Sequence, residues 1–208
     1  MLEAWPHGVA AWREAWSTLA ITEPTRTLKL LIEKYNEPHR AYHNLVHIEE
    51  CFAALETARH LAQRLAEVQL ALWFHDAVYE PRASDNEQAS ADLAQRSLHD
   101  AGVELDAISR IDRLIMATRH DAPADDDDAR LVSDLDLWIL ASPPERFQEY
   151  QAQIRHEYSW MPRDDFRRRR VQVLRRFLDS AAIYQTQWFR SRLEESARKN
   201  ISREIAAG

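Results

Sequence analysis

The chain has 208 residues, 45% of them hydrophobic, and a formal net charge of −7. That length supplies one substantial core and makes a single domain over 1–208 the expectation, while the negative charge disfavours duplex nucleic acid as the main partner, because neutralising phosphates takes a basic surface. Only three glycines occur, and good helix formers dominate, which argues against folds built on tight turns and predicts a nearly all-α chain.

One cysteine, Cys51, allows no internal disulfide, in keeping with a reducing cytoplasm. Met1 to Ala20 lacks a basic leader and is interrupted by Glu3, Pro6, Arg13 and Glu14, so no signal peptide is expected. No apolar run approaches the ~20 residues that cross a bilayer. The most apolar stretch, Val68 to Phe74, reads as a buried core helix. The expectation is a cytoplasmic protein with no membrane partner.

Prolines stop helices because they lack an N–H donor and clash one turn back. Those of this chain mark out helices at Val9–Ala20, Thr25–Tyr35, Leu45–His60, Ala62–Val78, Asn86–Ala101, Leu105–Thr118, Ala129–Leu140, Pro144–Ser159, Asp164–Ser180 and Thr186–Ala206. Ser84-Asp85-Asn86-Glu87 has the form of a capping box, and Ser142-Pro143-Pro144-Glu145 repeats it with proline at the first helical position. Gly102 is placed to end a helix in the left-handed conformation. Val171, Leu174 and Leu178 give an apolar stripe near the C-terminus. No repeat and no Gly/Ser linker divides the chain. The seven tryptophans are assigned to the core.

Three places combine ligand-type side chains with apolar surroundings. In Tyr42-His43-Asn44-Leu45-Val46-His47, two histidines four apart share a face if a helix opens there. In Leu72-Trp73-Phe74-His75-Asp76 an apolar helix presents an imidazole and a carboxylate, and burying an unpaired carboxylate is costly enough to demand a partner. Ser133-Asp134-Leu135-Asp136-Leu137 again sets carboxylates in an apolar surround. Imidazole nitrogen with carboxylate oxygen suits a divalent transition metal, Mn, Fe, Co, Ni or Zn, with Mg a further candidate. Such a metal lowers the pKa of its water and neutralises charge building on a phosphoryl group. The competing reading of each place is a core histidine hydrogen-bonded to a core aspartate.

The order H…HD…D in an all-helical chain resembles the HD superfamily of metal-dependent phosphohydrolases. The resemblance implies that His47, His75, Asp76 and Asp136 hold one metal, with Asp136 preferred to Asp134 on the family pattern. A second ion could share Asp76. Tyr42-His43-Asn44 followed by His47 is similar to the Y-H-N-x-x-H signature of cyclic-nucleotide phosphodiesterases, which implies that His43 is the general acid to the leaving oxygen. Their next histidine motif is missing after His75-Asp76, and the chain is shorter than their catalytic domain. Phe74-His75-Asp76-Ala77-Val78-Tyr79, Asp85-Asn86-Glu87 with Ser90-Ala91, and Asp134-Leu135-Asp136-Leu137 extend the likeness to a group of small bacterial HD phosphohydrolases, which carries no known substrate.

Further residues are candidates beside this set. Glu80, four after Asp76, would share its helical face and serve as a base, the resemblance again suggesting the role. The alternative is a solvated helix end. His120 and Arg155 are candidate substrate-binding groups, set against helix-end stabilisation and a surface ion pair. Glu87 is better read as capping its helix. The arginines at 167–170, 175 and 176 read as a solvated face, and Asp125 to Asp128 as a solvated turn that lacks a calcium loop's spacing. The expected activity is hydrolysis of a phosphate mono- or diester of a nucleotide or related small metabolite. A non-catalytic HD-type binding module and a di-iron oxygenase are the competing readings.

Overall fold

Ten α-helices and no strand make up the described residues, 5–207, of this computed structural model. They are α1 (Pro6–Thr18), α2 (Thr25–Tyr35), α3 (Leu45–Ala58), α4 (Leu65–Phe74), α5 (Asn86–Asp100), α6 (Leu105–Met116), α7 (Asp127–Asp136), α8 (Pro144–Glu157), α9 (Arg163–Asp179) and α10 (Gln187–Ala207). Residues 1–4 and 208, which the 1–208 domain and part of the leader reading include, lie outside the described residues. None of these helices is long and apolar enough to cross a membrane.

A helix that is apolar all round has to be surrounded by other helices, and α4 is. Every residue from Ala66 to Phe74 is buried, and α1, α3, α5, α6 and α7 all pack against it. Its one buried acid, Glu67, reaches Arg110 through two bonds of 2.6 and 2.8 Å. Trp12 meets Trp16 and Trp73 edge-on, with centroids 5.3 and 5.8 Å apart, the geometry that the ring quadrupole favours. The tryptophan expectation is corrected in part: Trp160 is 42% exposed and lies against Arg82.

The helix α4 stops four residues before the expected Val78. Pro81 has no N–H to give the Ala77 carbonyl, and the Arg40 guanidinium takes the carbonyls of Asp76 and Ala77 at 2.7 and 3.1 Å. The chain after His75 therefore turns, and this turn places the site. Elsewhere 3₁₀ turns at Arg59–Leu61, Ala117–Arg119 and Leu137–Ala141 replace the last turns expected of α3, α6 and α7.

The two capping boxes do not form. Asp85 and Pro143 occupy the N-cap positions, neither with a side-chain cap bond. The Asn86 amide instead bonds the backbone N–H and carbonyl of Glu80 at 3.0 and 3.1 Å. The Asp125 to Asp128 run is more than a solvated turn. Asp126 caps α7, and buried Asp128 accepts the N–H groups of Gln63 and Arg64 at 2.7 and 3.0 Å.

Gly102 has φ +84°, and the N–H groups of Gly102 and Val103 close α5 onto the carbonyls of His99 and Leu98, both at 3.0 Å, the paired bonds of a left-handed helix end. A Cβ there would meet nothing within 4 Å, so only backbone strain opposes it. Gly102→Ala is expected to cost about 1 kcal/mol and lower Tm by about 2–4 °C. Thermal unfolding followed by circular dichroism checks this, and an unchanged Tm refutes it.

Candidate metal centre

His47 sits in the first turn of α3, His75 is the C-cap of α4, Asp76 follows it in the turn, and Asp136 is the last residue of α7. One ligand atom from each lies within 4.8 Å of all the others. The two Nε2 atoms of His47 and His75 face each other at 3.1 Å. Asp136 Oδ1 is 3.2 Å from His47 Nε2, and Asp76 Oδ2 is 3.2 Å from His75 Nε2. Two imidazole nitrogens this close cannot both donate to one another, and both also face carboxylates. A metal cation could take one lone pair from each of the four, and two carboxylates with two neutral imidazoles would suit a divalent one.

The surroundings orient these donors. His75 Nδ1 lies 2.9 Å from the Leu72 carbonyl. Only an N–H can make that bond, so in the neutral ring Nε2 is left with its lone pair toward the cluster. His120 Nε2 lies 2.7 Å from Asp136 Oδ2, which leaves Oδ1 for the cluster. His120 Nδ1 is 3.1 Å from Ser133 Oγ. His47 and His75 are 2% and 1% exposed, whereas the side chains of Asp76 and Asp136 keep 16% and 18%. The cluster therefore opens toward solvent on its carboxylate side.

The charges reinforce one another. Burial opposes ionisation of Asp136, but bonds from His120, His47 and His75 outweigh it and hold its pKa well below the usual carboxylate range. Burial likewise opposes Asp76, and the charges of His75 and His43 bring its pKa down. Burial works against a charged His75, and the carboxylates beside it raise its pKa well above the usual histidine value.

His43 stands next to this cluster, its ring centroid 6.2 Å from that of His47. The expected shared helical face is not the cause. Asn44 is the N-cap of α3, its side chain accepting the Val46 N–H at 2.8 Å, so His43 precedes the helix. What aims it is Glu157 at the end of α8. Glu157 Oε2 lies 2.7 Å from His43 Nδ1 and accepts the Tyr79 hydroxyl at 2.8 Å. Glu157 Oε1 accepts the N–H groups of Ala41, Tyr42 and His43 at 2.8, 2.7 and 3.0 Å. The Tyr79 ring stacks on His43 with centroids 4.1 Å apart. Burial disfavours the imidazolium, yet the Glu157 and Asp76 charges prevail and raise the His43 pKa. The same pairing depresses the pKa of Glu157, against its burial, to about 2.

Three other sequence candidates go elsewhere. Glu80 is exposed, off the helix, and its carboxylate accepts the Arg82 N–H at 3.2 Å. It shares no face with Asp76 because α4 has already ended. Arg155 donates to the carbonyls of Tyr158 and Met161 at 2.7 and 3.1 Å and so closes the end of α8. Asp134, fully buried, accepts the N–H groups of Gln185 and Thr186 and the Thr186 hydroxyl at 2.6, 2.8 and 2.6 Å. It holds the turn into α10.

Sequence reasoning missed Glu157, Tyr79 and Arg40. Glu157 had a readable signal: Phe147, Tyr150, Ile154 and Glu157 form one buried stripe of α8, and a carboxylate on such a stripe needs a partner. Arg40 had none. Its side chain, 0% exposed, ties the His43 carbonyl at 2.9 Å to the carbonyl of Asp76 at 2.7 Å, so it sets the spacing of His43 from the cluster.

Two clefts reach this region. One of about 380 Å³ is bordered by His43, Tyr150, Ile154, Phe166 and Arg170. The other, of about 520 Å³, is bordered by His120, Glu87, Arg176, Phe177 and Gln185. Val173 of α9 borders both. Part of the arginine stripe therefore lines clefts rather than a fully solvated face. No family model, curated protein or solved structure matches this chain.

Proposed function

We propose that this chain is a metal-dependent phosphohydrolase acting on a phosphate mono- or diester of a nucleotide or related small metabolite, in keeping with its H…HD…D likeness to the HD superfamily. The observation that carries the reading is a buried four-ligand cluster that could hold a metal ion, with a carboxylate-paired histidine beside it. His47, His75, Asp76 and Asp136 would hold the ion. When bound, it supplies a water of lowered pKa and positive charge against the phosphoryl oxygens.

The remaining work belongs to the chain. His43 Nδ1 is committed to Glu157, so Nε2 is the atom free to carry a proton into the adjoining cleft. Water attacks phosphorus, the bond from phosphorus to the leaving oxygen breaks, and His43 Nε2 gives its proton to that oxygen. His120 keeps Asp136 oriented. Tyr79 and Glu157 fix the ring of the acid.

The test is metal content by plasma mass spectrometry on untagged protein, followed by phosphate-ester hydrolysis with Mn, Fe, Co, Ni, Zn or Mg supplied. About one or two ions per chain and metal-dependent turnover are expected. Absence of bound metal after each incubation, with no turnover, overturns the proposal and leaves a His–Asp core in a binding module.

A further inference from the structure

Helix α9 has one buried residue, Leu174, with Phe166, Phe177 and Leu178 partly buried against the core, and it packs chiefly on α10. Phe166, Arg169, Arg170 and Val173 of α9 border the cleft that ends on His43. Val173, Arg176 and Phe177 border the cleft that ends on His120. From Phe166 to Arg176 the helix advances about 15 Å, so it borders two clefts that share Val173 at their edge, one lined by His43 and the other by His120.

The chambers differ in chemistry. The walls on the His43 side are aromatic and aliphatic, from Tyr150, Ile154, Met161 and Phe166, with the guanidinium of Arg170 over the Tyr150 ring at 5.0 Å. One terminal nitrogen of Arg170 has no hydrogen-bond partner. The His120 side keeps apolar walls at Leu137 and Phe177 and adds polar groups from Glu87, Asp121, Arg176 and Gln185. A phosphate monoester has one organic group and would fill one chamber only.

Resting on the hydrolase reading, we infer that the substrate is a phosphodiester lying lengthwise beneath α9. Its leaving alcohol has an aromatic or apolar body and sits in the His43 chamber, where the proton is delivered. The group retained on phosphorus is polar and sits in the His120 chamber. Hydrolysis then breaks the phosphorus–oxygen bond on the His43 side, with the oxygen of water added to phosphorus and a proton to the leaving alcohol.

Two probes separate a diester from a monoester with the same leaving group: thymidine 5′-(4-nitrophenyl phosphate) and 4-nitrophenyl phosphate. The diester is expected to show a kcat/KM at least about tenfold higher, since binding of a remote group is expressed in the transition state. Ala182 and Ala122 line the His120 chamber and not the His43 chamber, so Ala182→Trp should remove most of that advantage and leave the monoester within about twofold. Ala122→Trp in the same chamber serves if the first variant does not fold.

Calorimetric binding of both probes to His43→Asn protein as purified gives a readout that needs no turnover. A diester preference in binding that disappears with Ala182→Trp upholds the two-chamber assignment even where hydrolysis is absent, in which case the hydrolase reading alone fails. Equal binding of the two probes, or equal weakening of both by the variants, overturns the assignment.

Discussion

Asp136→Ala is expected to abolish metal retention and bring hydrolysis to background, while Asp134→Ala, two residues away, keeps both and loses stability instead. The two carboxylates lie in one apolar stretch of sequence but on different sides of α7. Asp136 Oδ1 faces His47 and His75, and its other oxygen is held by His120. Its removal takes one of four ligands, and it leaves His75, whose charged form those carboxylates favour, with a single acidic neighbour. Asp134 makes no contact with the cluster and instead accepts three bonds at the entry to α10. Its loss leaves three part-buried donors without partners, and at the low end of about 1 kcal/mol each, because water can reach them, a destabilisation of about 3 kcal/mol is expected, with little change in metal content. Metal analysis and urea unfolding of both variants, purified side by side, decide the matter. Metal retained in Asp136→Ala, or lost in a folded Asp134→Ala, removes the basis for assigning the centre to these four residues.

Much of this organisation was legible in the sequence. The helices follow from proline spacing and composition because both act locally, and α2 coincides with its expected ends. The errors fall where tertiary contacts override local rules. At α4 a guanidinium 36 residues away in sequence takes the carbonyls that a longer helix would have used, and the placement of Glu80 fails with it. At Ser84 the Asn86 side chain makes the turn that a serine cap was expected to make. Arg155 read as a phosphate-binding group or one half of a surface ion pair, because the carbonyls that satisfy it lie beyond the end of α8, where periodicity stops.

The site divides the same way. The stretches that hold His75-Asp76 and Asp134 to Asp136 could be picked out because ionisable groups interrupt apolar segments there and call for compensation, whereas the choice of His47 and of Asp136 over Asp134 rested on the resemblance to the HD superfamily. Glu157 interrupts an apolar stripe too, but a sparse one in a strongly polar helix. The separation of 114 residues between it and His43 left no local pattern to join them. His120 was visible as a candidate, yet its partner on Asp136 became clear only from its left-handed backbone, φ +53°, which turns the ring back onto α7.

The pairing of His43 with Glu157 carries the second large effect. His43→Asn is expected to lower kcat by about 10²–10⁴ with metal content unchanged, the range for loss of a positioned proton donor. Glu157→Gln tests how that donor is prepared. The amide keeps an oxygen for the N–H groups of Ala41, Tyr42 and His43, so the loop should hold, but it removes the charge that raises the His43 pKa. The imidazolium then persists over a narrower range, and the alkaline limb of the kcat profile should move to lower pH, with kcat falling about 10–100-fold at neutral pH. A purely structural role for Glu157 would change stability and KM and leave that limb in place. The stability consequence has its own sign. A carboxyl whose pKa is held at about 2 instead of 4.5 contributes fully above pH 4.5, and that contribution is lost as pH falls toward 2. Glu157→Gln protein should therefore show a shallower loss of stability across this interval than the wild type, measured by denaturant unfolding at a series of pH values. Identical acid profiles, together with an unmoved alkaline limb, would mean that the Glu157–His43 pair carries no charge and that His43 donates from a neutral ring or not at all.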